Sequence, residues 1–557
     1  MRRIDEEREH ELSLTQQRKF ERNAESRICQ LPTEILCHIF LLTRRAYEST
    51  GDTKPSPHKG LPSPYLWIFA TTHVCRHWRA VALNEPALWT CPALFLPNLG
   101  RLMLERSRMA GLIIEIDHRK IEPDLMDVVL QHMPHTKKFN ILNGFPLGLK
   151  KLFSQLPSAA PMLEDLIIRY EADPYGFFEG ARARVLSMVP TSLFREVTSL
   201  RALTVKGLGI QDWNSPLFDH LTSLCLDDIG LDRRPSAEQF RAMLARMPQL
   251  TELLLGNACP SSEGSQEPIY LPNLRTLSIG TDAPQVTAFY SLVATPPELA
   301  SIKTLLLYRP EINFIDMFST AKRTHLLDTS SVDGLRLGIS HPQGGIAFEV
   351  TKDTDLLDDD EDDEDDDESS ARILIKSSWI HYSSTRESTA HQHMYMGVMT
   401  GLDWTYLQTL SIKFDHLTPE ILLSSIGFLP NLTGVVLHGK VAVPFIKALH
   451  SGWDVDPEIQ PVSLTFPRLV TISFLQVEFS FDKEDADKDS LELDLLQDCL
   501  MGRCERGAAI ELVMIMLCEG ICEDDVDKLS DIVSSLSWDG EEIGFDSDDE
   551  SSGSGQS

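Results

Sequence analysis

Apolar residues in the first hundred positions recur with helical spacing. Leu31, Ile35, Leu36, Ile39, Phe40 and Leu42 predict one helix from about Pro32 onward. Proline suits a first helical position, where its missing amide costs nothing, and Glu34 comes next in the electropositive first turn. A second helical stretch is predicted from Tyr65 to Leu83, carrying Leu66, Ile68, Phe69, Val74, Trp78 and Val81. Pro86 ends it, and Leu88-Trp89 come after. Residues 49–64, rich in Gly, Pro, Ser and Lys, read as a loop. Upstream, residues 3–25 are charged and free of Gly and Pro. Their apolar positions, Leu12, Leu14 and Phe20, are too sparse for a coiled coil, so 1–27 reads as a solvated leader helix.

Further along, the pattern becomes Pro-x-Leu-x-x-apolar-x-apolar. It occurs at Pro161–Ile168, Pro248–Leu255, Pro272–Ile279, Pro430–Leu437 and Pro467–Phe474. Fewer than about one such match is expected by chance in a chain of ordinary composition. Copies without the proline begin at Leu200, Leu221, Ile302, Val332 and Leu407. Most gaps between lead positions are 21 to 37 residues, the range of irregular leucine-rich repeats. Each copy predicts a short strand with alternate residues inward, stacked in parallel on its neighbours. Gln239–Met247 reads as a returning helix, with Phe240, Met243, Leu244 and Met247 on one face.

The gap from 332 to 407 is too long for one repeat. It holds Ile346–Val350 and Arg372–Trp379, read as two strands flanking an acidic insertion at 352–370 that cannot bury a core. A helix near Leu491–Cys504, a strand over Ile510–Leu517 and a helix near Asp524–Leu536 are expected to close the array at about 540. The acidic, Ser-rich tail 541–557 reads as disordered. Exposed strand positions Thr251, Glu252, Arg275, Thr276, Gln408 and Thr409 are candidate partner contacts by geometry alone.

Charge narrows the possible partners. With 83 acidic against 51 basic residues the formal charge is −32, which argues against nucleic acid and anionic membrane surfaces. Eleven consecutive acids, Asp358 to Glu368, carry much of it. No run of about 18 apolar residues is present to span a bilayer, and the N-terminus has no apolar signal core, so an intracellular protein, cytoplasmic or nuclear, is expected. The ten cysteines include no Cys-x-x-Cys pair, so neither a zinc site nor a disulfide framework is predicted. They read as small buried apolar groups.

Searches for nucleotide, nucleophile and metalloprotease motifs find none, so no catalytic residue, cofactor or metal is expected. His391 and His393, with His381 nearby, would share one face of a strand. No carboxylate or cysteine at ligand spacing completes a metal site there, and they read as exposed loop histidines.

The order Leu31-Pro-x-Glu-Ile-Leu-x-x-Ile-Phe40, Val74-Cys-x-x-Trp-x-x-Val-Ala82, Pro86-x-Leu-Trp89 resembles the F-box of fungal proteins. Leu102–Ser107 is similar to the segment directly after the F-box in basidiomycete members. The gap from Pro32 to Trp78 is longer than in compact F-boxes, and the 49–64 loop absorbs the excess cheaply. The resemblance implies an F-box over 28–92 that binds a Skp-type adaptor held in turn by a cullin-RING complex. Leu31, Pro32, Ile35, Leu36, Ile39, Phe40, Val74, Cys75 and Trp78 are the implied adaptor-binding residues. A helical module of about 60 residues has a small core and leaves apolar side chains for a partner to cover. The expected fold class is therefore α+α/β: a helical F-box, then a curved leucine-rich solenoid over 93–540 with parallel strands. The expected function is substrate recognition in a Skp-cullin-F-box ubiquitin ligase, with an unknown protein substrate on the repeats. An adaptor-bound scaffold outside ubiquitination is the alternative.

Overall fold

The computed structural model describes residues 17–18, 21–23, 25–49, 63–117, 121–142, 146–170, 188–230, 233–260, 268–294, 301–307, 314–323, 335–340, 347–351, 373–378, 384–451, 464–480 and 490–541. Most of the expected leader helix, the 49–64 loop, the acidic insertion and all but the first residue of the tail lie outside them; 17–18 and 21–23 are helical. The chain forms two compact units, Met1–Arg233 and Arg234–Ser557.

The first unit opens with α1 (Thr33–Glu48), N-capped by Pro32. The single helix expected over Tyr65–Leu83 is in fact three pieces. A 3₁₀ turn (Ser63–Tyr65) precedes α2 (Trp67–Thr72), and α3 (Arg76–Asn84) comes next. The break is at Cys75, which is extended and caps α3 by accepting the Trp78 amide on its sulfur at 3.4 Å. A 3₁₀ turn (Pro86–Trp89) and α4 (Pro97–Ser107) complete the module. Its core is Leu36, Phe40, Trp67, Val81, Ala82, Leu88, Trp89, Ala93 and Met103. The Trp67 and Trp89 rings lie 5.3 Å apart, and the Trp89 indole N–H donates to the Ala82 carbonyl at 2.9 Å. Arg44, 7 % exposed, ties α1 to the Pro86 turn by donating to the Ala87 carbonyl and Thr90 hydroxyl, each at 2.8 Å.

Five strands come next in the same unit: β1 (Leu112–Asp117), β2 (Thr136–Leu142), β3 (Asp165–Arg169), β4 (Ala202–Lys206) and β5 (Ser223–Asp227). They pair in that order and all in parallel. Helices α5 (Pro123–Gln131) and α6 (Pro146–Gln155) return the chain between the first three. β1 and β2 precede the first lead position at 163 and carry no Pro-x-Leu signal, so the sequence pattern misses them.

The second unit contains α7 (Ala237–Ala245), β6 (Glu252–Gly256), β7 (Thr276–Asp282), α8 (Ala283–Leu292), β8 (Ser301–Leu307) and α9 (Phe314–Arg323). The strands β9 (Leu335–Ser340), β10 (Ala347–Thr351) and β11 (Ile373–Ser378) precede α10 (Ser384–Gly401). Then come β12 (Leu407–Ile412), α11 (Pro419–Ile426), β13 (Gly434–His438), α12 (Ala442–His450) and β14 (Thr471–Leu475). The unit ends with α13 (Leu493–Glu505), β15 (Leu512–Met516), α14 (Glu523–Ser530) and β16 (Ser535–Trp538).

Two expectations need correction here. The strand β10 is antiparallel to both β9 and β11, so the sheet is not uniformly parallel. An antiparallel excursion lets β8 pair with β11 and β9 with β12 in parallel across the long gap. The helix expected over Asp524–Leu536 stops at Ser530, and 535–538 instead form β16, whose first residue hydrogen-bonds Glu511. There the edge of β15 offers unpaired backbone groups, and pairing with them outweighs weak local helix preference.

Within each unit the strands share a construction. Lead leucines 163, 200 and 221 in the first unit, and 250, 274, 432 and 469 in the second, lie two residues before their strands and are buried. The carbonyl just before a strand accepts two amides of the next one. Glu164 takes those of Arg201 and Ala202, Arg201 those of Thr222 and Ser223, and Thr433 those of Val470 and Thr471, all at 2.8–3.0 Å. A left-handed residue stands after the strand: Gly207 and Asp228 after β4 and β5, then Asn257, Gly439, Gln476 and Leu517 after β6, β13, β14 and β15. Side-chain amides add a second link, Asn273 to the Pro248 carbonyl and Asn431 to that of Thr405, both at 2.8 Å.

Candidate docking site

Helix α1 is apolar on two sides. At 3.6 residues per turn, Leu36, Phe40 and Arg44 share a stripe that faces the module's own core. Ile35, Ile39 and Leu42 lie on a second stripe, turned away from the first. Ile39 is half-buried, while Ile35 and Leu42 are each 49 % exposed. Leu31 is half-buried at the helix entry and Pro32 is exposed.

The nine sequence-predicted positions therefore separate. Leu36 and Phe40 are fully buried in the module's own core, where they hold α1 in place. Trp78 is half-buried, its ring 5.0 Å from that of Phe40, and it braces α3 on α1. Val74 is 55 % exposed just before α3, and Cys75 beneath it is half-buried. The Cys29 and Cys75 sulfurs are 3.8 Å apart, which brings the turn before α1 beside the entry to α3. Ile28, next to Cys29 in that turn, is 45 % exposed. The exposed apolar surface thus comprises Ile28, Pro32, Ile35, Leu42 and Val74, flanked by half-buried Leu31 and Ile39. Ile28 and Leu42 were missing from the predicted set. Leu42 had a signal, because 35, 39 and 42 share a helical face distinct from that of 36 and 40, whereas Ile28 lies in the turn before α1 and has none.

Among the described residues, none of the cysteines near this surface (Cys29, Cys37, Cys75 and Cys91) is exposed. Burial, with a hydrogen bond and the charge of Glu85, pushes the Cys37 thiol up to about 11. Burial also raises Cys91, against the opposing pull of Arg44. Elsewhere Cys259 and Cys499 are buried and pushed up to about 12.

A second concavity of about 620 Å³ lies in the second unit over the C-terminal ends of β12, β13, β14 and β15. Lys413, Asp415, His438, Lys440, Glu478 and Glu519 line it with both signs of charge. Glu478 and Glu519 are partners in a parallel bridge that extends the β14–β15 pairing. Thr251, Glu252, Arg275, Thr276, Gln408 and Thr409 are exposed or half-exposed, as strand geometry predicts.

The histidine pair is a further correction. His391 and His393 lie on helix α10 and not on a strand, so two residues apart they point in different directions. His391 is buried, stacked 5.9 Å from His416 and edge-on to Phe414, whereas His393 is exposed.

Residues 28–94 match the F-box-like family. The match contains α1, α2, α3 and the Pro86 turn, together with every predicted docking position. Among curated proteins none matches the chain. No helix among the described residues is long and apolar enough to cross a membrane.

Proposed function

With an F-box-like domain as the premise, we propose that the chain is the substrate-recognition subunit of a Skp-cullin-F-box type ubiquitin ligase. The observation that carries this reading is the outer stripe of α1. Ile35 and Leu42, with Val74 and Ile28, form an apolar edge that the module's own core does not cover, as a helix-in-groove partner requires. A Skp-type adaptor covers that edge and brings the cullin-RING complex with it. The chain itself supplies proximity, turning an encounter between target and charged conjugating enzyme into a local event.

The downstream strands are read as irregular leucine-rich repeats. Supporting this are the buried lead leucines, the shared carbonyls and the left-handed residue that recurs after six of the strands. Repeats bind partners along their strands and the loops at the strand ends. The mixed-charge concavity over β12–β15 is a place that suits a polar segment of a protein substrate.

The test is retention of the full-length chain by a purified Skp-type adaptor, wild type against Leu31→Ala/Pro32→Ala. Binding by the wild type alone supports adaptor docking, and equal retention of both removes this edge from the interface. Recruitment of cullin and turnover of a captured target then separate the ligase from the adaptor-bound scaffold.

A further inference from the structure

Ten thiols are present, and five of them are committed or sequestered. Cys259, Cys499 and Cys518 are buried, Cys522 donates to Asp525 at 2.9 Å, and Cys91 accepts from Arg44. Cys29 and Cys75 differ. They come from segments 46 residues apart, both are half-buried, and their sulfurs are in van der Waals contact at 3.8 Å. Each is on a segment that can yield: Cys29 in the turn over Ser26–Leu31, held by short-range backbone bonds, and Cys75 at a helix cap outside regular structure.

We propose that Cys29 and Cys75 are a modification site, a thiol pair that a peroxide oxidises to a reversible disulfide across the edge of the docking surface. The Cys75 sulfur already accepts the Trp78 amide at the first turn of α3. Having given its proton to water, Cys75 attacks one peroxide oxygen. The O–O bond breaks, the departing hydroxide takes up that proton as water, and Cys75 carries a sulfenic acid. The Cys29 sulfur then attacks the Cys75 sulfur; the S–O bond breaks and the hydroxide leaves with the Cys29 proton as a second water. Two thiols lose two electrons and one peroxide becomes two waters. The sulfurs close from 3.8 Å to about 2.05 Å.

The consequence for docking rests on the proposed function, whereas formation of the bond does not. Closing the pair draws Ile28 and Val74, the neighbours of the two cysteines, toward each other. It also turns the Cys75 sulfur from the Trp78 amide, and Trp78 is the residue whose ring packs on Phe40 of α1. The oxidised module therefore presents a narrower apolar edge and docks more weakly.

Full-length protein is exposed to a small molar excess of hydrogen peroxide, alkylated, digested without reduction and mapped by mass spectrometry. The expected product joins the Cys29 and Cys75 peptides, disappears with dithiothreitol and is absent from Cys29→Ser. Oxidation that stops at sulfinic acid on either residue, or that joins other cysteines instead, overturns the site. In parallel, adaptor retention by oxidised wild type is expected to fall about tenfold and to recover on reduction, with Cys29→Ser unaffected. Unchanged retention despite the mapped bond overturns the docking consequence. If even the reduced protein does not bind the adaptor, the functional reading falls, while the peptide map still decides the disulfide.

Discussion

Two adjacent residues of α1 make the sharpest test of how the docking surface is built. Ile35 is 49 % exposed and Leu36 is fully buried. Ile35→Ala removes three carbons, worth about 0.8 kcal/mol each when wholly buried. Half of that burial already exists in the free chain, so covering the rest by a partner contributes about 1.2 kcal/mol, roughly an eightfold change in affinity. The same reckoning gives about 1.2 kcal/mol for Leu42→Ala and about 0.9 kcal/mol for Val74→Ala, so the triple variant should bind about 250-fold more weakly. By the same reckoning its folding stability should fall by about 3 kcal/mol in total, about 1 kcal/mol per half-buried site. Leu36→Ala should do the reverse. It leaves a cavity beneath α1 and costs about 2–5 kcal/mol of stability. Calorimetric titration with a Skp-type adaptor, alongside thermal unfolding of each variant, reads both quantities. An Ile35→Ala variant that binds like wild type, or a Leu36→Ala variant that keeps its unfolding temperature, would refute the division into inner and outer stripes.

Three further outcomes are expected. Arg503 is fully buried and donates to the carbonyls of Ala508, Thr465 and Phe466 at 2.9–3.1 Å; Arg503→Met should cost about 3–5 kcal/mol by leaving those acceptors unpaired, and a shift under about 1 kcal/mol in chemical denaturation would show that they find other donors. Asn273→Ala removes the hydrogen bond to the Pro248 carbonyl, and Asn431→Ala removes that to the Thr405 carbonyl together with the one Asn431 accepts from Arg468; each should cost about 0.5–1.5 kcal/mol per bond lost, with no loss refuting their role as links. His132 and His135 are in contact at 3.1 Å, and burial, with the charge of His135 acting on His132, lowers both below the ordinary 6.5. Below 6.5 the unfolded chain binds protons that the folded pair does not, so stability is complete above that value and declines as pH drops through it; melting curves across this range should flatten for His132→Gln/His135→Gln, and an unchanged slope would assign the pH dependence elsewhere.

The sequence by itself determined most element positions. A Pro-x-Leu lead or its leucine-only form marks strands β3 to β9 and β12 to β14, because a buried leucine ahead of alternating apolar residues suits only a strand with one covered face. Local chemistry likewise located α1 and α7, the latter with a Ser236–Gln239 capping box. Tertiary structure decided the rest. Helix α1 is apolar on both stripes, so periodicity cannot say which stripe faces inward; Trp67, Trp78, Val81 and Trp89, tens of residues away, settle it by packing over Leu36 and Phe40. The antiparallel β10 and the strand at 535–538 depend on backbone groups that find partners outside their own segments. The contact between Cys29 and Cys75 is of the same kind: each residue is ordinary in its own segment, and only the folded chain brings the two sulfurs together.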